Sequence, residues 1–279
     1  MLGMKGIAAR EIRGKHLEYI YGGLNRIPDA PDFSAIGSIL AKAGRDTADP
    51  AIPLAGVIIE TRKHALLAFV VDCFVRATGA PVQLYHGNGN LGFIRDTAIA
   101  GLVGDGKVVL TPLNATIIDA RCYNALLLSR KFWQSVIGRR KILVFQTDSI
   151  ACAASKYTIA DFMKFDYIGS KWKRKRPVGI TIDGGNGGLS LRDWRRMVDC
   201  IERFPPERWV GGEDGYFAFH IDLMGGRVAR PGESARFSTQ EEYACNSFGA
   251  HRITDLQRNN RAELQRFLKY CPDAGRMLP

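Results

Sequence analysis

Four short apolar runs, separated by helical patterns, dominate the chain between Leu54 and Asp148. The runs are LAGVIIET (54–61), PVQLYHG (81–87), KVVLTPL (107–113) and KILVFQTD (141–148). Runs of this length that are rich in Val, Ile and Leu are typical of strands buried on both faces. Helical patterns occupy the intervals at 64–79, 93–104 and 119–138. This alternation predicts an α/β fold with a mostly parallel, Rossmann-like sheet flanked by helices.

The pattern changes after Ser149. The glycine-dense segment TIDGGNGGLSLR (181–192) reads as a loop that leads into an amphipathic helix over 191–204. Ser190 would be the N-cap of that helix, and Asp193 would complete a capping box. The remaining elements predicted here are a short helix and a turn at 158–170, a helix at 211–225, short strands at 227–231 and 235–240, and one charged helix at 254–270.

These elements predict one domain with two attached segments. Residues 1–50 would form a peripheral N-terminal arm, and 253–279 a C-terminal helix and tail. Residues 51–252 would form the domain itself, with a nucleotide-binding half up to about 150 and an acceptor-binding half after it.

Charge and cysteine usage narrow the possible partners. The net charge of +11 favours an anionic partner such as nucleic acid, an acidic membrane face or a phosphorylated small molecule. Part of the excess lies in Lys171–Arg176, which reads as a solvated loop or as a surface for anions. The six cysteines form no CxxC pair, which argues against a zinc ribbon or a disulfide framework and fits a reducing cytosol. We expect a cytoplasmic protein, with peripheral contact to the inner membrane face as an option.

Polar residues follow two of the predicted strands, at the sheet edge where ligands of open α/β proteins bind. Asp148 ends the fourth run, after Gln146 and Thr147, and it reads as an oxygen ligand for Mg²⁺ or Mn²⁺ or as a turn residue. Thr61 and Arg62 end the first run, where they would contact a nucleotide or diphosphate. The alternative for Arg62 is a surface ion pair with Glu60.

A glycine motif follows the second strand. GNGNLG (87–92) matches the GxGxxG pattern of dinucleotide-binding folds. Such a site also needs an acidic residue about twenty positions further on to bind the ribose, and VVLTPLN offers none. A glycine-rich turn near the functional edge is therefore the preferred interpretation.

Two further candidates lie in the second half. Glu213 and Asp214 stand at a predicted helix start, where acidic residues favour the helix dipole, and either one is also a candidate general base. His251 reads as a structural histidine or as a nitrogen ligand, which would favour Mn²⁺ over Mg²⁺.

Taken in order, these segments resemble the GT-A-type glycosyltransferases. They are similar in particular to a family with the blocks FQTD, DYIGxxW, GGNGGxSLR, ED and FGxH. Here these blocks are Phe145–Asp148, Asp166–Trp172, Gly184–Arg192, Glu213-Asp214 and Phe248–His251. The chain departs from the usual DxD motif at Gln146, which stands where the first Asp is expected.

The resemblance implies a role for each matching residue. Asp148 and His251 would bind Mn²⁺ or Mg²⁺, and Asp214, with Glu213 beside it, would supply the catalytic base. The donor and its nucleotide would contact Thr61, Arg62, Gln146, Thr147, Asp148, Gly185, Asn186 and Gly187.

The sequence thus predicts a hexosyltransferase-like enzyme. It would move a sugar from a UDP- or GDP-sugar to a hydroxyl of a glycan or glycolipid, such as lipopolysaccharide, with inversion at the anomeric carbon. A retaining transferase on the same fold is one alternative. A non-catalytic nucleic-acid-binding protein using the basic run at 171–176 is the other, although no nucleic-acid-binding motif supports it.

Overall fold

The four apolar runs form strands β1 to β4 of one sheet, as predicted. The computed structural model describes Tyr21 and residues 27–43, 49–172 and 182–279. In it β1 (Leu54–Glu60) pairs in parallel with β2 (Val82–His86) and β4 (Lys141–Phe145), and β2 pairs in parallel with β3 (Val108–Pro112). The predicted α/β architecture, a mostly parallel sheet flanked by helices, is confirmed.

The sheet continues beyond β4 with two strands that the sequence did not predict. β6 (Tyr167–Ser170) and β7 (Asn186–Asp193) pair antiparallel with each other, and β7 pairs antiparallel with β4. Within the described residues the strand order is β3-β2-β1-β4-β7-β6. The short β5 (Ser149–Ala151) follows β4 along the chain and belongs to a second sheet.

The prediction of a loop and a helix start over 186–192 was therefore wrong. Ser190 is buried in the middle of β7, and the helix begins only after Asp193, whose carboxylate caps it by accepting from the Arg196 amide. Leu189 and Leu191 enter the core as a strand's alternate residues do. The glycines before them concealed this two-residue period.

Helices cover both faces of the sheet. Three segments predicted as single helices, at 93–104, 119–138 and 254–270, each form two shorter ones, and in the last of them the Asn260 side chain caps the second helix. The helix predicted at 211–225 forms as Glu213–Leu223. The helices are α1 (Ile36–Ile39), α2 (Leu67–Thr78), α3 (Leu91–Arg95), α4 (Ile99–Gly104), α5 (Ala120–Leu127), α6 (Arg130–Ser135), α7 (Trp194–Arg203), α8 (Glu213–Leu223), α9 (Pro231–Phe237), α10 (Ile253–Asn259) and α11 (Arg261–Tyr270).

Three shorter predictions also need correction. The segment 158–170 contains a 3₁₀ helix, Ile159–Phe162, and the strand β6. The strand predicted at 235–240 is mostly the end of α9, followed by the two-residue β8 (Ser238–Thr239). The strand predicted at 227–231 is only an isolated bridge between Val228 and Tyr167.

The central sheet has a hydrophobic cluster on each face. Val57 and Val144 point into the cluster that α5 to α8 complete, whereas Ile58 and Phe145 point into the cluster that contains α2. Successive residues of β1 and β4 thus enter opposite clusters. Because both faces are covered, the parallel strands read as continuous apolar runs rather than alternating ones.

A small second sheet carries the end of the domain. β5 pairs antiparallel with β9 (Gly249–His251), which pairs in parallel with β8. Residues of α10 and α11 pack on this sheet through a third cluster that includes Ile150, Ala250 and Phe267. In the part of the chain that is described, no helix is long and apolar enough to cross a bilayer.

Candidate active site

A cavity of about 580 Å³ lies at the carboxyl ends of β1 and β4. The chain runs from β1 outward to β2 and β3 and then returns to β4 on the other side of β1, so the strand order reverses here. Crevices at such a reversal are where open α/β sheets bind ligands. The predicted site residues that line the cavity are Thr61, Arg62, Gln146, Thr147, Asp148, Asn186, Gly187, Glu213, Asp214 and His251.

The tip of β1 is held by an ion pair at the cavity wall. Arg62 donates from its backbone amide and from Nε to Glu60 Oε1, both at 2.8 Å, and from Nη2 to Oε2 at 2.7 Å. The hydrogen bond to Glu60 raises the pKa of Arg62 above its ordinary value. The Arg62 side chain remains 59% exposed, so the guanidinium still presents a face to the cavity. Thr61 is buried, and its Oγ1 accepts from the Ile118 amide at 3.2 Å.

The GNGNLG motif forms hydrogen bonds with the end of β1. Asn90 is fully buried, and its Nδ2 donates to the carbonyl oxygens of Glu60 at 2.8 Å and Arg62 at 3.0 Å. Its Oδ1 accepts from the Gly87 amide. A Cβ on Gly87 would meet the Ala115 carbonyl and the Thr61 side chain. These contacts give the motif a structural role as the turn that fixes β1.

Asp148 and His251 come together because β5 pairs with β9. Ser149 lies opposite His251 in the register, and the Arg252 amide donates to the Asp148 carbonyl at 2.9 Å. The imidazole Nε2 is 3.3 Å from Asp148 Oδ1 and 3.3 Å from Gln146 Oε1. Burial opposes ionisation of Asp148, but His251 and Arg252 outweigh it and hold the pKa of this carboxyl below its usual range.

A second layer of side chains orients the imidazole. Gln240 is buried and accepts from His251 Nδ1 at 3.3 Å, while its own amide donates to Asp255 Oδ2 at 3.4 Å. Because a carboxylate only accepts, Asp255 turns the Gln240 oxygen toward the histidine. Sequence reasoning missed Gln240, since nothing local to the segment ARFSTQ pairs it with a residue eleven positions away.

The start of β7 forms the floor of the cavity between two groups of side chains. A Cβ on Gly188 would collide with the His251 ring and approach Gln146 Oε1, and a Cβ on Gly187 would collide with Glu213 and approach Asp214. The neighbouring peptides at 187 and 188 therefore touch the histidine cluster on one side and the two carboxylates on the other. No other residue type fits these two positions.

Gly185, the remaining predicted donor residue, lies before this floor. Its φ is +93°, a conformation that side chains rarely adopt, and a Cβ there would collide with the Gly169 and Ser170 backbone. Its carbonyl accepts from the Tyr167 hydroxyl at 3.1 Å. Asn186 follows it at the cavity wall, where its Oδ1 accepts from the Gly188 amide.

Glu213 and Asp214 are adjacent in sequence, but their carboxylates lie in different environments. Glu213 is buried and pairs with the fully buried Arg192, with Nη1 to Oε2 at 2.6 Å and Nη2 to Oε1 at 2.9 Å. Burial alone would lower the pKa of Arg192, but Glu213 outweighs it and raises the pKa above its ordinary value. Arg192 Nη2 also donates to the Gly187 carbonyl at 3.2 Å, so the ion pair joins β7 to the first turn of α8.

Asp214 faces the cavity from the same turn. Its Oδ2 accepts from the Gly187 amide at 3.3 Å and its Oδ1 from the Gly215 amide at 2.6 Å. Asn124 on α5 steadies this helix start by accepting from the Glu213 amide at 3.0 Å. Neither Arg192 nor Asn124 was a predicted site residue; the signal for Arg192 was a lone charge inside the apolar pattern GLSLR.

The predicted metal ligands are Asp148 and His251. Among the described residues no three His, Cys, Asp or Glu side chains converge to hold a metal ion, so a cation here would rely on Asp148, His251 and atoms of other types.

The basic run at 171–176 is described only in part. Lys171 is paired with Glu242 at 2.7 Å, and residues 173–176 lie outside the described part of the chain.

Comparison with protein families gives one match. A family model described as "Protein of unknown function (DUF5672)" matches residues 108–252, just over half of the chain. The chain belongs to this family. The matched region runs from β3 to the residue after His251 and includes every predicted site residue except Thr61 and Arg62. No curated protein matches the chain in sequence.

Three solved structures are similar at low identity. They are the apo-form glycosyltransferase GlyE of Streptococcus pneumoniae TIGR4 (10% identity, TM-score 0.46, 77% of this chain and 63% of that one), TarS of S. aureus (10%, 0.43, 78% and 40%), and a putative glucose-1-phosphate thymidylyltransferase of Bacillus anthracis in complex with a sucrose (12%, 0.41, 76% and 95%). The chain thus spans less than two thirds of GlyE and of TarS. Likeness of this degree identifies neither a substrate nor an activity for this chain.

Proposed function

We propose that the chain is an inverting glycosyltransferase that moves a sugar from a nucleotide diphosphate to a hydroxyl of a glycan or glycolipid. One observation carries the proposal: the adjacent peptides at Gly187 and Gly188 touch Asp214 on one side and His251 with Gln146 on the other. A general base and a candidate cation site therefore share one cavity. In transfer of a sugar to a hydroxyl, a general base takes the proton of the attacking hydroxyl, and a cation stabilises the departing diphosphate.

The donor would bind along the sheet edge. Arg62 keeps an exposed face beside Thr61, where a guanidinium can bind phosphate oxygens. Thr147 lies between the two strand tips, since its Oγ1 is 3.4 Å from Glu60 Oε2. Gly185, Asn186 and Gly187 would bring the backbone close to the sugar.

The charge of the cavity supports a divalent cation. Six carboxylates and two arginines line it; the carboxylates are those of Asp29, Glu60, Asp119, Asp148, Glu213 and Asp214, and the arginines are Arg62 and Arg252. A diphosphate entering alone would meet an excess of negative charge. Asp148 Oδ1, which is buried and accepts no hydrogen bond from the described residues, is a fitting oxygen ligand, and His251 is a fitting nitrogen ligand. Bound Mn²⁺ or Mg²⁺ would stabilise the charge that develops on the departing diphosphate.

Asp214 would take the proton from the acceptor hydroxyl. It lines the cavity, and its Oδ2 accepts a long hydrogen bond of 3.3 Å from the Gly187 amide. Glu213 would act differently, since both of its oxygens are engaged by Arg192. We assign Glu213 to positioning and Asp214 to proton transfer.

The test is donor binding and slow donor hydrolysis by the purified chain with Mn²⁺ and a panel of UDP- and GDP-sugars. The wild type should bind and hydrolyse at least one of them. Asp148→Ala should lose binding of the Mn²⁺–nucleotide pair, because it removes the anionic ligand. Asp214→Asn should still bind the pair but turn over about 10²- to 10⁴-fold more slowly, the usual contribution of a general base.

Asp105→Asn provides the matched control, since Asp105 is exposed and follows α4 away from the cavity. If Asp148→Ala and Asp214→Asn both turn over as fast as this control, the assigned roles are wrong. The anomeric configuration of the product, read by NMR, separates inversion from retention.

A further inference from the structure

Three donor atoms of different kinds meet at the turn after β4. His251 Nε2 is 3.3 Å from Asp148 Oδ1 and 3.3 Å from Gln146 Oε1, and a Cβ on Gly188 would fall against the same nitrogen and the same amide oxygen. In an octahedral site with metal–ligand distances of about 2.1 Å, neighbouring ligand atoms are about 3 Å apart. The spacing of the donor atoms around His251 is close to that value.

The surrounding hydrogen bonds point these atoms at one another. Asp255 fixes the amide of Gln240, so Gln240 Oε1 receives the Nδ1 proton of His251 and Nε2 is the ring nitrogen that faces Asp148 and Gln146. An amide oxygen and a carboxylate oxygen therefore face the same imidazole nitrogen.

The two oxygens at Nε2 need a positive partner, which is either a proton on the ring or a cation between the three atoms. His251 is 1% exposed, and within the described residues Asp148 Oδ1 is buried without a hydrogen-bond donor of acceptable geometry. A buried acceptor without a donor destabilises the fold. Second-layer contacts such as those of Gln240 and Asp255 are typical of protein metal sites, where they orient the coordinating histidine.

We propose that Gln146 is a protein ligand of the divalent cation, through its amide oxygen, and that it completes a set of three with Asp148 and His251. The inference rests on the proposed function, because it concerns the same cation. It assigns Gln146 to the metal instead of the nucleotide. Gln146 is thus a working substitute for the acidic residue expected at this position.

The ligand set has a consequence for how the cation binds. Only one of the three ligands is anionic, so the protein alone offers a weak site for a hard divalent ion. The diphosphate of the donor supplies the remaining charge. The cation and the nucleoside diphosphate should therefore bind together, each raising the affinity for the other by the same factor.

The experiment measures Mn²⁺ binding to the full chain by the loss of the free-ion EPR signal, alone and with saturating UDP or GDP. Gln146→Glu adds a second carboxylate and should raise the affinity for Mn²⁺ alone by about tenfold or more. Gln146→Met keeps the length but removes the oxygen, and it should lower the affinity for Mn²⁺ in the presence of nucleotide by about tenfold or more. Gln134→Glu, the same charge change on an exposed residue of α6, should do neither.

The outcomes separate this inference from the function on which it rests. Wild-type protein that binds no Mn²⁺ with either nucleotide refutes the cation site and the role of Gln146, while donor hydrolysis tests the proposed function separately. Wild-type protein that binds the pair, with Gln146→Glu and Gln146→Met unchanged, refutes only the role of Gln146. Nucleotide binding is also measured without Mn²⁺. If Gln146 contacts the ribose instead of the cation, Gln146→Met should weaken nucleotide binding by the same factor with and without Mn²⁺. That result would also overturn the inference. The gain expected for Gln146→Glu cannot come from misfolding.

Discussion

At the scale of single residues, the wall of the cavity depends on a charge pair that is almost completely buried. Arg192 lies between the Tyr167 and Phe217 rings, 5.5 and 5.7 Å from their centroids, and it binds both Glu213 and the Gly187 carbonyl. The pair fixes the distance between the glycine floor and the helix that carries Asp214. Its loss should therefore affect both stability and turnover.

Glu213→Gln should destabilise the protein by about 3–5 kcal/mol, because a buried guanidinium loses its counter-charge. The double variant Arg192→Met, Glu213→Leu should recover most of this stability, since apolar side chains often replace a buried pair without loss. Its donor hydrolysis should remain about 10- to 100-fold below wild type, because Asp214 and Gly187 lose their common support. Urea unfolding and turnover are measured on the same samples.

Two results would contradict the positioning role of Glu213. If Glu213 were itself the base, the double variant would recover stability but would be no more active than Asp214→Asn. Recovery of both stability and full turnover in the double variant would remove any positioning role. The sequence could not decide between Glu213 and Asp214, because the deciding partner is Arg192, 21 positions away on another element.

At the scale of elements, the sequence predicts the strands and helices that have a clear local periodicity. It does not predict the strands that form only because they pair with distant segments. β1 to β4 are apolar runs of the right length, and each forms as a strand. β7 was misread because glycine has low strand propensity and suggests a loop. It forms a strand because β4 and β6 flank it and because only glycine leaves room for His251 and Glu213 beside its first residues.

The candidate site was also predicted only in part, because some of its residues are placed by distant contacts. Strand ends predicted Thr61, Arg62 and Asp148, since the carboxyl ends of parallel strands share one edge. The partners that orient the site, such as Asn124 and Gln240, lie on segments with no motif of their own. Their roles follow from tertiary contacts that no local pattern encodes.

The C-terminal helices pack on the small sheet that carries His251. Phe267 on α11 is fully buried in the cluster that includes Ile150 and Ala250, the neighbours of Asp148 and His251 along β5 and β9. Phe267→Ala should cost about 3–5 kcal/mol of stability. It should also weaken Mn²⁺–nucleotide binding, measured by calorimetry at a temperature where the variant is folded.

Gln265→Ala is the control for this prediction, since Gln265 lies on the same helix and is exposed. It should leave both quantities near wild type. A folded Phe267→Ala variant that binds the Mn²⁺–nucleotide pair as tightly as the control would show that the C-terminal helices stabilise the fold without supporting the site.

At the scale of the whole molecule, charge is segregated. The chain carries a net charge of +11, yet six carboxylates and only two arginines line the cavity. The overall positive charge attracts anions to the protein, while the cavity itself repels them. A nucleotide that arrives with a divalent cation would satisfy both conditions, so we expect the metal and the donor to bind as one ligand.

The stability of the molecule should fall in mild acid through a histidine that lies far from the cavity. His220 is fully buried on α8 among Tyr216, Phe219 and Trp209; its Nδ1 donates to the Tyr216 carbonyl at 2.7 Å and its Nε2 accepts from the Tyr21 hydroxyl at 2.5 Å. Burial lowers the pKa of His220 to about 3 from the 6.5 expected in the unfolded chain. Because the unfolded state binds the proton more readily, stability is complete above pH 6.5 and declines as the pH falls from there toward 3.

Between pH 8 and pH 5 this single group should remove about 2 kcal/mol of unfolding free energy, measured by urea denaturation at each pH. Other groups also titrate over this range, so the informative quantity is the difference between the wild type and His220→Asn. The variant should be less stable at pH 8, because it loses aromatic packing, but it should lose about 2 kcal/mol less on going to pH 5. Parallel pH profiles for the two proteins would mean that His220 is protonated in the folded state, and that the interior around α8 admits the charge that its aromatic packing should exclude.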